Sequence, residues 1–225
     1  MKITLFNKLK KQQHKDIALL QDELVELVYS IFPDIVFHGG TSIWRCFQGN
    51  RFSEDIDLYY YETPDFENKL KQAILDNNLN LLKFKKTENV IFSKIANSKV
   101  EVRLEIRLLE RKNIIFKNKI INQYEKAEGS SITIFSLTPD DLIIEKALAY
   151  KNRKLIRDIY DVYFLMSKVN LSTDQVNKLK EIIDLWQKPE DEKNLKTIVY
   201  VGAVPSFEQL LLQIKRRFLW LMVTD

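Results

Sequence analysis

The sequence predicts an α+β fold: a mixed sheet with flanking helices over residues 1–137, followed by a helical C-terminal portion over 138–225 that packs on it. Three observations carry this reading. Stretches of helical period alternate with short stretches of period two up to residue 137, and beyond Thr138 the apolar patterns are helical. Only five glycines and five prolines punctuate 225 residues, with no repeat or low-complexity tract, so the elements follow one another closely without a long linker. Finally, 45% hydrophobic residues suffice for a real core, which excludes a disordered chain and a disulfide-stapled miniprotein.

Each element has a local cause. Residues 14–32 set Ile17, Leu20, Leu24, Leu27, Val28 and Ile31 against Asp16, Gln21, Asp22 and Glu26, an amphipathic helix that Pro33 stops. IVFHGGTS then reads as a strand entering a glycine turn, SIWRCFQ as a short helix and RFSEDIDLYYY as a second strand. Thr63 as cap and Pro64 in the first turn open a helix over 65–77. Two strand-like stretches, 80–97 and 99–109, meet at an Asn97-Ser98 hairpin tip. ITIFS is a further strand, after which Thr138 caps a helix with Pro139, Asp140 and Asp141 in its first turn. Gly202 and Pro205 break the late helices, and FLWLMV at 218–223 reads as a packed terminal helix.

Charge and cysteine content narrow the function classes. Lys and Arg number 35 against 31 Asp and Glu, a formal charge of +4, so distribution matters more than the sum. Five lysines precede the first acid, a run best read as a solvated helix face, while Lys146, Lys151, Arg153, Lys154 and Arg157 form an acid-free series able to meet phosphate. The lone Cys46 makes no intrachain disulfide and, with two histidines, no structural zinc cage; it reads as a small hydrophobe. Charges interrupt every apolar stretch of the N-terminal region, so neither a signal peptide nor a membrane span is expected, and a reducing cytoplasm fits.

The stretch that carries chemistry is His38-Gly39-Gly40-Thr41-Ser42 followed by Arg51-Phe52-Ser53-Glu54-Asp55-Ile56-Asp57. On a strand, Arg51, Ser53, Asp55 and Asp57 share one face while Phe52, Ile56 and Leu58 pack on the other. Two carboxylates so placed repel unless a cation neutralises them, and Mg2+, a hard ion that takes oxygen ligands, suits them. Gly39 and Gly40 let the backbone approach a ligand, and a helix opening at Thr41 and Ser42 turns unpaired N–H groups toward an anion. A phosphate cradle beside a metal-binding carboxylate pair is equipment for nucleotidyl transfer from an NTP. His38 reads as a polar residue at a strand end, with contact to a phosphate left open, and Tyr59, Tyr60 and Tyr61 include at least one buried packing residue, with stacking on a base left open.

GGTSIWRCFQGNRFSEDIDL resembles the GGT-x-L…R-x-S-x-D-x-D-L signature of the AbiEii/AbiGii-type toxin nucleotidyltransferases of the DNA polymerase β-like superfamily, with Ile43 in place of the leucine. Thr138-Pro139, Glu145-Lys146-Ala147-Leu148-Ala149 and Arg157-Asp158-Ile159-Tyr160-Asp161 are similar to that family's later motif, so the resemblance frames residues 36–165. It implies a nucleotidyltransferase-like sheet, Mg2+ held by Asp55, Asp57 and a third carboxylate, and NTP bound by Gly39, Gly40, Thr41, Ser42, Arg51, Ser53 and Lys146. It further implies that Asp158 is catalytic, that RNA at the 3′ end of tRNA is the acceptor, and that the chain is the toxin of a toxin–antitoxin or abortive-infection pair with a cognate antitoxin. The third carboxylate falls in VEVRLEIRLLER, where Glu101, Arg103, Glu105 and Arg107 share a face; the resemblance favours Glu105, with Glu101 and plain cross-strand ion pairs left open. Asp158 or Asp161 positions Lys146 or the acceptor hydroxyl, against a structural reading in which Arg153, Arg157 and Asp161 make a ladder on one helical face. Two other functions stay open: nucleotidyl transfer to a small-molecule or protein hydroxyl, and nucleotide or RNA binding without catalysis.

Overall fold

The structure, a computed structural model, describes residues 3–221 and divides into two compact units, Met1–Gln48 with Phe52–Leu137 and Gly49–Arg51 with Thr138–Asp225. The first unit is built on a seven-stranded mixed sheet. Its strands are β1 (Val36–His38), β2 (Ile56–Tyr60), β3 (Asn80–Lys86), β4 (Val90–Ala96), β5 (Glu101–Leu108), β6 (Ile120–Glu125) and β7 (Ser131–Ser136), in spatial order β3-β4-β5-β2-β1-β7-β6. β1 runs antiparallel to β2, while β2 with β5 and β1 with β7 are parallel. Helices α1 (Leu5–Lys8), α2 (Gln12–Ile31), α3 (Gly39–Cys46), α4 (Phe66–Asp76) and α5 (Ile114–Asn118) complete it.

Alternation decides which side of the sheet is covered. Val102, Leu104, Ile106 and Leu108 of β5 are buried, whereas Glu101, Arg103, Glu105 and Arg107 are exposed or half-buried on the other side. Ile17, Leu20, Leu24, Val25 and Val28 form the buried stripe of α2, and Phe32 at its end packs on Tyr60 and Phe66, with ring centres 5.3 and 4.4 Å away. So α2 and α4 meet over the Ile56–Leu58–Tyr60 side of β2. Each fully buried aliphatic or aromatic side chain stabilises by about 1.5–3 kcal/mol, which makes this covered side the one that holds the sheet.

The polar residues of α2 depart from expectation. Gln21 and Asp22 belong to the amphipathic helix's polar set in sequence, yet both are buried. Asp22 accepts from Arg45, from the Tyr124 hydroxyl at 3.0 Å and from the Ala127 N–H at 2.7 Å. Arg45 also donates to the Ala18 carbonyl at 3.0 Å and to Tyr124 at 3.1 Å, so α2, α3 and β6 are tied by one buried network.

Two further boundaries differ from the sequence pattern. β2 starts at Ile56 rather than Arg51, because the backbone at 53–55 bonds to side chains instead of a neighbouring strand. Residues 80–97 split into β3 and β4 around a turn closed by the Thr87 N–H on the Val90 carbonyl at 2.8 Å, a turn without glycine or proline to announce it. The Asn97 hairpin tip forms as expected, its side chain accepting from the N–H groups of Lys99 and Val100 at 2.9 and 3.0 Å.

The second unit is helical: α6 (Pro139–Arg153), α7 (Ile156–Leu165), α8 (Thr173–Asp184), a 3-10 turn (Glu192–Asn194), α9 (Leu195–Ile198) and α10 (Phe207–Leu221). Thr138 caps α6 by accepting from the Asp141 N–H at 3.1 Å, with Pro139 in the first turn. The Arg51–Val199 bridge and the Tyr200 hydroxyl on the Gly49 carbonyl at 2.7 Å bring 49–51 into this unit. α10 reaches into FLWLMV, but the side chains of that run lie outside the described residues. No helix among the described residues is long and apolar enough to cross a membrane.

Candidate active site

The strand β1 delivers the chain into α3, whose helical residues begin at Gly39, two positions before the expected start. Gly39 has φ +75°, and a Cβ built there would fall 2.2 Å from Asp57 Oδ2. A side chain is therefore excluded twice, by backbone conformation and by the carboxylate that occupies its place. Asp57 is opposite His38 on β1 and opposite Glu105 on β5, so the sheet register sets both neighbours of this carboxylate. The N–H groups of the first turn of α3, from Gly39 to Ser42, have no acceptor within the helix, and all four residues are buried there.

Asp55 precedes β2 in a segment held from two helices. The Thr41 hydroxyl donates to the Asp55 carbonyl, and Gln21 Nε2 donates to the carbonyls of Ser53 and Glu54 at 3.0 and 2.9 Å. The Asp55 carboxylate accepts from Arg103 on β5. Of the two candidate glutamates, Glu105 lies directly opposite Asp57, whereas Glu101 sits at the strand's start and pairs with Lys94 at 2.5 Å. The sheet register thus sets Glu105 beside Asp57 and sends Glu101 away.

Among the described residues no group of three or more His, Cys, Asp or Glu side chains forms a metal cluster. Asp55 and Asp57 still fit a hard divalent cation, because Mg2+ is commonly held by one or two carboxylates with substrate phosphates and waters completing its shell. The Arg103 guanidinium already sets one positive charge against the Asp55 carboxylate.

Thr41 and Ser42 are fully buried, so their hydroxyls do not face a ligand, and an anion here would meet backbone N–H groups. His38 is buried and stacked on Tyr59 with ring centres 3.7 Å apart, rather than lying on a polar surface. Tyr59 and Tyr60 are likewise buried. Burial pushes the Cys46 thiol up to about 12, with the Ser42 hydroxyl and Arg45 pulling the other way, which makes it an inert thiol.

The second unit holds a charged cluster of its own. Arg51 donates Nε and Nη2 to Asp161 at 2.6 and 2.5 Å, and Arg153 donates Nε and Nη2 to Asp158 at 2.7 and 2.8 Å. Lys146 Nζ stands 3.7 Å from Asp158 and 3.5 Å from Asp161, so both aspartates face the lysine. Burial alone would raise Asp158, but the Arg153 hydrogen bonds and the charges of Lys146, Arg153 and Arg51 hold it below the usual carboxylate range. Arg51 therefore belongs to this cluster. The ladder of Arg153, Arg157 and Asp161 does not form, because α6 ends at Arg153, Lys154 turns left-handed at φ 52°, and α7 starts afresh at Ile156.

One residue that shapes the site escapes the motifs: Gln21. For Gln21 the signal was the helix period itself, since 17, 21, 24 and 28 fall on one stripe.

A family model described as "Nucleotidyl transferase AbiEii toxin, Type IV TA system" matches residues 24–199. The crystal structure of JHP933 from Helicobacter pylori is similar at a TM-score of 0.64 and 18% identity, covering 95% of this chain and 93% of that one. MenT4, a nucleotidyltransferase toxin from Mycobacterium tuberculosis H37Rv, is similar at 0.55 and 15%, covering 95% and 85%. At such identities the likeness is one of fold. Comparison with curated proteins gave no match.

Proposed function

The chain belongs to the AbiEii/AbiGii-type family of nucleotidyl transferase toxins, and from that premise we propose that it transfers a nucleotide from an NTP to an acceptor hydroxyl on RNA, at the 3′ end of tRNA, in a Mg2+-dependent reaction. The observation that carries this reading is the approach of Gly39 to Asp57, which sets a carboxylate beside the first turn of a helix.

The new bond forms between the acceptor oxygen and the α-phosphorus, and the bond to the β-phosphate breaks, releasing pyrophosphate. Bound by Asp55 and Asp57, with Glu105 as third carboxylate, Mg2+ supplies charge neutralisation for the phosphates and for the carboxylates themselves. The N–H groups of Gly39, Gly40, Thr41 and Ser42 bind phosphate oxygens, a role that leaves the buried hydroxyls of Thr41 and Ser42 to structure. Gln21 and Thr41 hold Ser53, Glu54 and Asp55 in place, so that the two aspartates keep their spacing. Lys146 is assigned as a phosphate-binding cation, with Asp158 positioning its ammonium group. A cytoplasmic setting and a cognate antitoxin as partner complete the proposal.

The test is incubation of the purified chain with total cellular RNA, Mg2+ and each α-32P-labelled NTP in turn, beside the Asp55→Ala/Asp57→Ala variant. Label in a tRNA-sized band with the wild type alone is the expected result. Label on no RNA with any NTP would overturn the RNA acceptor, and absence of metal-dependent NTP binding as well would overturn the transferase reading.

A further inference from the structure

Beyond the carboxylates, the open side of the sheet carries cations all the way to its edge. Directly opposed residues of a ladder share a face, and the pairs Lys83↔Lys94 and Lys94↔Arg103 set three cations side by side across β3, β4 and β5. This rung ends where Arg103 meets the Asp55 carboxylate. The next rung reads Lys85↔Phe92, Phe92↔Glu105 and Glu105↔Asp57, so it too runs from a lysine at the edge to an aspartate of the site.

Like charges directly opposed weaken a ladder. The Lys94–Glu101 pair at 2.5 Å offsets little of this, since both side chains are exposed to screening solvent. Lys83 and Lys85 are exposed, and Phe92 is half-buried between cations: the Lys83 ammonium and the Arg103 guanidinium lie 5.3 and 5.9 Å from its ring centre. Spaced cations gathered about a half-buried ring match the phosphates and bases of a single-stranded nucleic acid. A bound triphosphate does not account for them. At about 4.8 Å per strand, β3 lies about 19 Å from β1, where the first turn of α3 begins, beyond the reach of three phosphates held there.

We propose that Lys83, Lys85, Lys94 and Phe92 form a track on which the single-stranded end of the acceptor RNA lies on its way to Asp55 and Asp57. This rests on the transferase reading above and extends it by assigning the acceptor a surface.

Fluorescence anisotropy with a labelled single-stranded RNA of about 12 nucleotides tests it across a salt series. The full chain is compared with Lys83→Gln/Lys85→Gln and with Lys10→Gln/Lys11→Gln, which removes the same charge from the N-terminal basic run. The track variant should bind RNA about tenfold more weakly and show a salt dependence shallower by about 1.4, at about 0.7 for each lost phosphate contact, while the control stays within about twofold. Equal weakening in both variants, or none, overturns the track. Mg2+-dependent binding of a fluorescent NTP, measured on the same proteins, should be unchanged by the track variant. Its absence from the wild type would instead count against the transferase reading, so the two failures are told apart.

Discussion

Two carboxylate–guanidinium pairs in the sheet unit use the same chemistry toward opposite ends. Asp22 and Arg45 have side chains 6% and 0% exposed, and every strong donor around Asp22 is fixed: the guanidinium, the Tyr124 hydroxyl and the Ala127 N–H. Asp55 and Arg103 are 23% and 39% exposed. Solvent screens such a pair to about 0–1 kcal/mol, so a divalent cation can take the guanidinium's place. Breaking the buried pair strands a charge without water and costs about 3–5 kcal/mol. Burial, not the identity of the residues, separates a lock from an exchangeable ligand. Arg51 with Asp161, both buried in the helical unit, falls on the side of the locks.

The largest expected effect tests the exchangeable side. In Asp55→Ala/Asp57→Ala, nucleotidyl transfer should fall by about a thousandfold or more, while the thermal midpoint barely moves. A drop in midpoint as large as that of a buried-pair variant would break the distinction. Asp22→Asn is the counterpart: it should cost about 3–5 kcal/mol in urea unfolding and leave NTP affinity intact once folded. Gly39→Ala alters no charge, yet its Cβ would take the space of Asp57 Oδ2, so activity should fall about a hundredfold with about 1–2 kcal/mol of lost stability. Arg103→Gln sharpens the comparison most directly. With the guanidinium gone from Asp55, Mg2+ titrated by calorimetry should bind tighter, by no more than about fivefold, and weaker binding would mean that Arg103 helps rather than competes.

Sequence alone carried the covered side of the sheet, because burial alternates strictly along β5, and carried the α6 cap, because Thr138 and Pro139 act locally. It also carried the need for a glycine in the turn before Asp55 and Asp57, where Gly39 has a positive φ. It could not choose between Glu101 and Glu105, which share a face; the choice comes from the parallel register of β2 with β5, a property of the assembled sheet. Nor could it place Arg51. Apart from Glu54, which interrupts the apolar set, alternation runs from Arg51 to Asp57, but Gln21 and Thr41 satisfy the backbone at 53–55, leaving that segment outside any ladder. The break between α6 and α7 was hidden for a related reason: Lys154 adopts a left-handed turn without the glycine that usually marks one.

The smallest effect concerns pH and the helical unit. Asp158 is held below its usual range in the folded state by Arg153, Lys146 and Arg51, against the opposing effect of burial. A carboxylate whose folded pKa is depressed adds stability that is fully present above the unfolded value, near 3.8, and is lost as pH falls through the folded value. The gap in unfolding free energy between wild type and Asp158→Asn should therefore stay level from neutral pH down to about 5 and close on further acidification. Urea titrations at stepped pH measure it. A gap that widened on acidification would mean that burial outweighs the three cations, and Lys146 would then lose the anionic partner on which its assignment to phosphate depends.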